Sequence, residues 1–337
     1  MITEERLAAL EAQMAALVEP PAEYYTSRYS GEEIDKGIDG ALQLGGASTP
    51  QGAIAALGAG VRPNLLVNPF FKINQRGKTR YTGFVPTVDC WKSKSTTLTV
   101  QVTDDGVLLS GTGYDSLTNY IESPEQYNGK TITVSALVKN PGGQFRINLY
   151  NESKQISKVV NIAASSNWSI ISTTIQGLQV SDGDRLAFLL YPGGGVSGQT
   201  ATAQVMAVKM EEGENQTLGY IDSSGNPVLL ERPDPLELLK CQRYFYYANN
   251  ILCPGQIKNG NIYLTMYLPT KMRVIPSMTV KSYGTIINNG VSNVPTTFYS
   301  LVLSGNILHF RTNAPANTAN YTPCVLTDLN AEISAEL

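Results

Sequence analysis

The first sixty residues carry apolar positions at helical spacing. Apolar residues at positions 7–17 are three or four apart, which gives a seam of two heptads that ends at Pro20-Pro21. The capping-box sequence Ser30-Gly31-Glu32-Glu33 begins a second short helix, and Ser48-Thr49-Pro50 begins a third. Because helices this short are marginal alone, we expect residues 1–60 to be a coiled-coil-like oligomerisation segment, with docking onto the same chain as the alternative. The predicted oligomerisation residues are Leu7, Leu10, Met14, Leu17, Ile34, Ile38 and Leu42.

From about residue 62 the hydrophobic period changes to two, the pattern of half-buried strands. Within positions 131–138, for example, four apolar residues alternate with Thr and Ser. Clusters of Gly, Asn, Asp and Pro separate such runs at the spacing expected of a sandwich. We therefore predict one antiparallel β-domain over residues 61–216. Its strands are predicted at Leu98–Val102, Ile132–Val138, Phe145–Tyr150, Trp168–Ile175, Arg185–Tyr191 and Gln204–Met210.

A segment rich in turn residues separates this domain from a second one. Residues 217–235, centred on Asp222-Ser223-Ser224-Gly225-Asn226-Pro227, are predicted to be a linker. Residues 236–337 are predicted to be a smaller C-terminal β-sandwich, so the fold class is mainly β with short N-terminal helices. The strands predicted for it are Cys241–Tyr247, Ile262–Leu268, Val274–Val280, Phe298–Leu303 and Ile307–Arg311.

Composition and charge exclude several classes of function. The 337 residues include only 16% charged residues but 30 Gly, 18 Pro and 18 Tyr, which fits a chain of many strands and turns. A net charge of −3 argues against a nucleic-acid partner. The single histidine, His309, excludes His-paired nucleophiles and multi-histidine metal sites, and we expect it on the surface or at an interface. We predict no metal site and no cofactor.

The four cysteines, Cys90, Cys241, Cys253 and Cys324, lack zinc or redox spacing and are expected to be buried apolar residues. A Cys241–Cys253 pair across a hairpin stays open, because spacing alone does not establish disulfide geometry. The chain has no secretory signal pattern and no apolar run long enough to span a membrane. We therefore expect synthesis in a cytoplasm and no membrane insertion.

Five short motifs resemble those of one protein family. The first, residues 60–92, includes Asn68-Pro69-Phe70-Phe71, Ile73-Asn74-Gln75-Arg76-Gly77 and Asp89-Cys90-Trp91-Lys92. It is similar to the opening of a jelly-roll domain found in tail-fibre and receptor-binding proteins of bacteriophages and prophages. Lys209-Met210-Glu211-Glu212-Gly213 with Thr217 resembles the pattern that closes this domain, with Met in place of Leu. Residues 237–244 and 268–276 are similar to the start of the C-terminal domain in such fibres, and residues 27–35 to the preceding N-terminal segment.

This resemblance implies a homotrimeric fibre of a virion, made in a bacterial host. It implies that residues 1–60 attach to other virion proteins and that the β-domains face a host-surface glycan or protein receptor. The jelly-roll assignment of residues 61–216 and the receptor-binding assignment of residues 236–337 follow from the same resemblance. The alternative is a purely structural virion component, such as a head fibre or decoration protein.

Tyrosines are the candidate ligand-binding residues, because the ring packs on the C–H face of a sugar and the hydroxyl bonds to its alcohols. Tyr263 and Tyr267 lie on one predicted strand face, with Tyr244 or Tyr246 considered as neighbours. An equal alternative is packing between subunits of a trimer. The ligand-binding candidates are Tyr263, Tyr267, Tyr283 and Tyr299 in the C-terminal domain, and Tyr114, Tyr120 and Tyr191 in the first domain.

Other candidate sites have simpler explanations. Asp182-Gly183-Asp184 supplies too few oxygens for calcium and is expected to be a plain turn, and Asn74-Gln75-Arg76 is expected to bond a strand-entry loop. Trp91 and Trp168 are expected in the core. A glycan hydrolase needs two carboxylates across a cleft, and the available ones lie in turn-like contexts, so we predict no enzyme. Those carboxylates are Asp104, Asp105, Asp115, Glu122, Glu125, Asp182 and Asp184.

Overall fold

The computed structural model describes residues 61–231, 234–315 and 318–336. These residues belong to one compact unit, Gly60–Leu337. The predicted N-terminal helices lie outside the described residues, together with their seam residues Leu7, Leu10, Met14, Leu17, Ile34, Ile38 and Leu42. In the part of the chain that is described, no helix has the length and apolar character needed to cross a membrane.

The first domain is a sandwich of two antiparallel sheets, as the alternating pattern predicted. Strands are numbered along the chain. Sheet 1 contains, in spatial order, β1 (Arg80–Thr82), β3 (Thr99–Thr103), β4 (Gly106–Thr112), β11 (Thr200–Glu212), β6 (Ile132–Asn140) and β9 (Ser165–Ile175). Sheet 2 contains β2 (Trp91–Ser93), β5 (Leu117–Tyr120), β10 (Leu186–Tyr191), β7 (Phe145–Asn151) and β8 (Ile156–Ile162). One 3-10 turn, Pro124–Tyr127, follows β5.

The core of this domain lies between the two sheets. Successive strand residues point to opposite faces, so every second apolar residue enters the core. Trp91 is 1% exposed, packs against the tilted ring of Phe71 with centroids 4.9 Å apart, and donates its indole N–H to the carbonyl of Asn68 at 3.0 Å. Trp168 differs from the expectation. It is half-buried on the far side of β9, where the Lys139 ammonium lies 4.8 Å from its ring.

The segment predicted as a linker packs against the outer side of sheet 1. It forms a hairpin of β12 (Gly219–Ile221) and β13 (Pro227–Leu229), with the predicted Asp222–Asn226 turn between them. Leu218 is fully buried in a small cluster with Phe70, Leu137 and Ala207. Residues that looked like a flexible connector therefore cover one face of the sandwich.

The closing motif of the first domain is a buried polar network. The ammonium of Lys209 lies 3.1 Å from a carboxylate oxygen of Glu231, and its carbon chain is fully buried. Glu211, also fully buried, accepts hydrogen bonds from the backbone N–H and the hydroxyl of Thr217 at 2.6 and 2.5 Å. Gly213 has a φ of +114°, and a Cβ there would lie 2.5 Å from the Arg62 guanidinium carbon. The spacing from Lys209 to Thr217 thus corresponds to a turn that Glu211 closes, next to the ion pair of Lys209 and Glu231.

The C-terminal domain begins with helix α1 (Glu237–Gln242) and continues as one eight-stranded antiparallel sheet. Seven strands follow one another in the sheet, in the spatial order β18 (Val291–Asn293), β17 (Thr285–Asn288), β21 (Pro323–Ser334), β14 (Phe245–Lys258), β15 (Asn261–Tyr267), β20 (Ile307–Asn313) and β19 (Tyr299–Ser304). The eighth strand, β16 (Ser277–Ser282), pairs with β21 on the same edge as β17. Its strands surround a second hydrophobic cluster that includes Leu264, Phe310 and Leu326.

Two expectations for this domain change. The predicted sandwich would have two separate sheets, but all eight strands belong to one continuous sheet. The pairing of β14 with β21 has register shifts near Ile251, and such irregularities bend a strand. The predicted strand Cys241–Tyr247 is wrong in its first half, because Cys241 and Gln242 end α1 and β14 starts only at Phe245. All four cysteines are free thiols, so the open Cys241–Cys253 pairing does not occur.

Motif residues join the two domains. Arg76 bonds to Glu336 at 2.6 Å, lies 3.7 Å from the centroid of the Phe245 ring, and approaches Asp89 at 3.7 Å. Gln75 donates to the carbonyl of Phe245 at 2.7 Å. The prediction that Asn74-Gln75-Arg76 serves a loop was therefore incomplete, since two of its residues also hold the C-terminal domain.

Candidate functional site

The outer face of sheet 2 is the side that points away from the sandwich core. Leu117, Phe188 and Ile147 fill the core from β5, β10 and β7. By alternation, their neighbours Thr118, Leu189 and Asn148 point outward. Strand pairing places these three in one row, because Leu189 lies opposite both Thr118 and Asn148.

This row forms a buried base with unused hydrogen-bonding capacity. Thr118 is 0% exposed and Asn148 is 7% exposed. The Thr118 hydroxyl and the Asn148 amide oxygen are buried without any hydrogen-bond partner. Buried polar atoms are nearly always bonded, so two exceptions in one row mean that the side chains around this base leave hydrogen-bonding capacity unused.

Tyrosines border this base on two sides. Tyr120 and Tyr150 face each other across Ala187, which pairs with both in the neighbouring strands. Ala187, which separates the two tyrosines, is fully buried. Tyr191 lies one row away, opposite Arg146, and burial raises the pKa of its hydroxyl. Three tyrosines therefore surround one polar base.

Charged side chains complete the face at the end of β7. Glu152 pairs with Lys94, lies 3.5 Å from Arg185, and accepts a hydrogen bond from the Tyr120 hydroxyl at 3.3 Å. The Lys94 ammonium and the Arg185 guanidinium lie 5.0 and 4.8 Å from the Tyr120 ring centroid. Burial opposes the charge on Lys94, but hydrogen bonds to Glu152 and Tyr120 outweigh it and raise its pKa. An open cavity of about 390 Å³ lies among Lys94, Tyr150, Glu152, Ser153, Gln155 and Arg185.

A second cavity continues from this face toward the C-terminal domain. It measures about 250 Å³, and Lys92 and Tyr120 line both it and the outer face of sheet 2. Tyr244, Ser334 and Glu336 supply its far wall. The outer face thus ends at the junction between the domains, not at open solvent.

The structure groups the predicted tyrosines of the first domain only in part. Tyr120 and Tyr191 share the outer face of sheet 2, while Tyr114 is 67% exposed in the loop before β5. Tyr150 belongs to the face but was not predicted. The alternation within Phe145–Tyr150 contained the signal, because it places Tyr150 opposite to the core residues Phe145, Ile147 and Leu149.

The predicted tyrosines of the C-terminal domain separate into two groups. Tyr263 and Tyr267 point outward from β15 and are 42% and 64% exposed, and Tyr299 lies on the same side, where its hydroxyl bonds to Asn261 and Asn313 at 2.6 Å. Tyr283 stacks on Phe298, which contacts Phe310 of the core, so it is not part of that surface. His309 is exposed beside Thr265, as expected.

The two tyrosines considered as neighbours of this surface lie elsewhere. Tyr244 is buried at the domain junction, where its hydroxyl donates to Glu122 at 2.6 Å. Tyr246 packs against the C-terminal core.

The other candidate sites are engaged locally. Asp184 accepts hydrogen bonds from Asn151 and from the backbone N–H of Ser181, which lower its pKa, so Asp182-Gly183-Asp184 is a turn. Asp115 accepts bonds from Ser95, Thr97 and Thr112, which outweigh burial and lower its pKa. Among the described residues, no group of three or more His, Cys, Asp or Glu side chains has the arrangement of a metal site.

Comparison with known proteins gives structural neighbours only. No protein-family model and no curated protein sequence matches the chain. Among solved structures, the chain is similar to the xylan-binding module CBM15, with 12% identity and a TM-score of 0.30, over 42% of this chain and 100% of that one. A CBM4 module has 15% identity and a TM-score of 0.30 over 44% of this chain and 99% of that one. TmCBM61, solved with β-1,4-galactotriose, has 10% identity and a TM-score of 0.26 over 45% and 99%. At this level of likeness, function has to be argued from the outer face of sheet 2 itself.

Proposed function

We propose that the protein binds a glycan on the outer face of sheet 2. The observation that carries the proposal is the row containing the unbonded Thr118 hydroxyl and Asn148 amide oxygen, bordered by Tyr120 and Tyr150. A sugar offers C–H faces to the tyrosine rings, and its alcohols reach the two buried polar atoms when the side chains above them move aside.

We further propose that this binding serves a homotrimeric, non-enzymatic fibre of a virion, with residues 1–60 as the oligomerisation and attachment segment. Support comes from the motif resemblance and from the structural contacts that the motif residues make. Lys209, Glu211 and Thr217 close the first domain, while Gln75 and Arg76 join it to the C-terminal domain. Three copies of a weak sugar site on one fibre raise its apparent affinity without new contacts. The function requires no cofactor and no metal.

Two alternatives remain distinct in their predictions. A purely structural virion component would bind no glycan, and its tyrosine-bearing surfaces would contact neighbouring subunits. A glycan hydrolase would need a free carboxylate pair across a cleft. Glu122 is held by Arg243 at 3.0 Å and by Tyr244, and Asp115 and Asp184 are held by their own turns, so the geometry favours binding without hydrolysis.

Replacing Tyr120 or Tyr150 with alanine should weaken glycan binding at least about tenfold, because each ring supplies a packing surface beside the polar base. A glycan array probed with the full chain identifies bound sugars, and isothermal titration of one of them measures the loss. The Tyr263→Ala/Tyr267→Ala double variant is the matched control on the other exposed tyrosine surface. Loss of binding in the control alone would move the site to the C-terminal domain, and an array without any bound glycan would favour the structural alternative.

The full chain should have three times the 36.5 kDa mass of one copy in light scattering. A Leu10→Asp/Met14→Asp variant, which places charges in the predicted seam, should dissociate the assembly. Intact β-structure in circular dichroism serves as the control. A monomeric wild-type chain would contradict the fibre proposal but not the glycan site.

A further inference from the structure

We propose that the glycan bound on the outer face of sheet 2 is acidic, with sugars that carry carboxylate, sulfate or phosphate groups. This inference rests on the proposed glycan site. Four cationic side chains, Lys92, Lys94, Arg146 and Arg185, lie on or at the border of the face. Glu152 is the carboxylate that pairs with two of them. The face is cationic although the whole chain has a net charge of −3.

The excess positive charge resides on Lys92 and Arg146. Because Glu152 already compensates part of the charge of Lys94 and Arg185, those two residues contribute less. Within the described residues, neither Lys92 nor Arg146 has a carboxylate within the 4.0 Å of a salt bridge. Lys92 lies 5.1 Å from the ring centroid of Phe84 and lines the cavity that Glu336 also lines, with no carboxylate of the described residues in salt-bridge contact.

Arg146 is held in a position suited to an anion. Its Nε donates to the Asn161 side chain at 2.8 Å, and its guanidinium lies 5.9 Å from the centroid of the Tyr191 ring. Gly195 has a φ of +68°, and a Cβ at this residue would lie 2.2 Å from an Arg146 terminal nitrogen. The loop therefore leaves space for the guanidinium, whose planar N–H groups match carboxylate, sulfate and phosphate oxygens.

The positions of these two cations match an extended ligand. Lys92 lies on β2 and Arg146 on β7, and the order β2-β5-β10-β7 separates them by three strand spacings, or about 14 Å. Thr118 lies opposite Lys92, and Asn148 lies two residues along β7 from Arg146, so the polar row separates the two cations. The Tyr120 and Tyr150 rings lie in the next row, on the side away from Arg146. A short oligosaccharide placed across the strands would meet a cation near each end and the polar base between them.

The test compares each glycan that the full chain binds on an array with its carboxyl-reduced, desulfated or dephosphorylated form. The acidic form should bind about tenfold more tightly or better, and raising the salt concentration should weaken only the acidic form. The Lys92→Gln/Arg146→Gln variant should lose about tenfold in affinity for the acidic form and little for the neutral form. Lys139→Gln, on the outer side of sheet 1, is the matched control and should change neither.

Each outcome decides the inference. Equal binding of acidic and neutral forms, or unchanged affinity in a folded Lys92→Gln/Arg146→Gln variant, would overturn the acidic specificity and leave the glycan site standing. An array on which nothing binds would overturn both proposals. Equally tight binding of a single-stranded oligonucleotide would show general attraction of polyanions and would also overturn it.

Discussion

Replacing Lys209 with methionine is expected to lower the free energy of unfolding of the first domain by about 3–5 kcal/mol. The Lys209 side chain is fully buried and lies 3.1 Å from Glu231 and 4.0 Å from Glu211. Without its ammonium, two carboxyl groups would stay in the interior with no compensating charge. Burial already raises the pKa of Glu231, and Lys209 opposes this rise. Urea unfolding followed by intrinsic fluorescence measures the loss.

Two variants make this prediction specific to the buried pair. Lys130→Met removes an ion pair with Glu212 whose side chains are 43% and 47% exposed, and should cost only about 0–1 kcal/mol. The double variant Lys209→Met/Glu231→Leu removes the ammonium and its nearer carboxylate, so only Glu211 stays buried without a cation, and part of the lost stability should be recovered. A double variant less stable than Lys209→Met would contradict this account.

Replacing Arg76 with methionine is expected to weaken the junction between the two β-domains by about 3 kcal/mol or more. Arg76 is the cation that lies between Asp89 and Glu336, and its guanidinium also covers the Phe245 ring. Its loss would leave both carboxyls buried without an ion-pair partner and remove one contact to β14. Differential scanning calorimetry should then show the two domains unfolding in separate transitions, where the wild-type chain shows closer coupling.

The same variant should make stability more sensitive to pH. Burial raises the pKa of Asp89 and of Glu336 above the ordinary values of 3.8 and 4.5, and Arg76 lowers both. Carboxyls with raised pKa bind protons more tightly in the folded state, so the free energy of unfolding falls as pH rises above those ordinary values. Arg76→Met removes the opposing charge, and its loss of stability from about pH 5 to about pH 8 should exceed that of the wild type.

Glu122→Gln provides the control at the same junction. Its partner Arg243 is 38% exposed, so solvent screens this pair and the variant should cost about 1 kcal/mol or less. If Glu122→Gln separated the domains as strongly as Arg76→Met, the junction would depend on its general contact area and not on the buried charges.

Strand alternation predicted six of the eleven strands of the first domain and the outward direction of Tyr263 and Tyr267, because a period of two is a local property of the chain. The same pattern did not predict features that depend on residues far apart in the chain. β21 was missed although it runs from Pro323 to Ser334, since its register shifts and mixed burial hide the alternation. The strand predicted at Cys241 failed because local apolar character does not distinguish the last turn of a short helix from the start of a strand.

The candidate site shows the same division. Tyr120 and Tyr191 were chosen individually from the sequence, but no pattern places Tyr150 opposite Tyr120 across Ala187. That arrangement requires the pairing of β5, β10 and β7, which lie far apart along the chain. The motif residues Gln75 and Arg76 were visible as a motif, while their contacts with Phe245 and Glu336 were not.

The amino-acid sequence by itself determined a mainly β chain with two β-regions in series, because hydrophobic period and turn residues act over a few positions. Only the tertiary structure decided which polar atoms stay unbonded, which cations share a face, and that the supposed linker and motif residues hold the domains together. Those properties depend on strand pairs and on contacts between residues up to 260 positions apart, such as Arg76 and Glu336. The burial of such contacts determines how much they contribute to the free energy of unfolding.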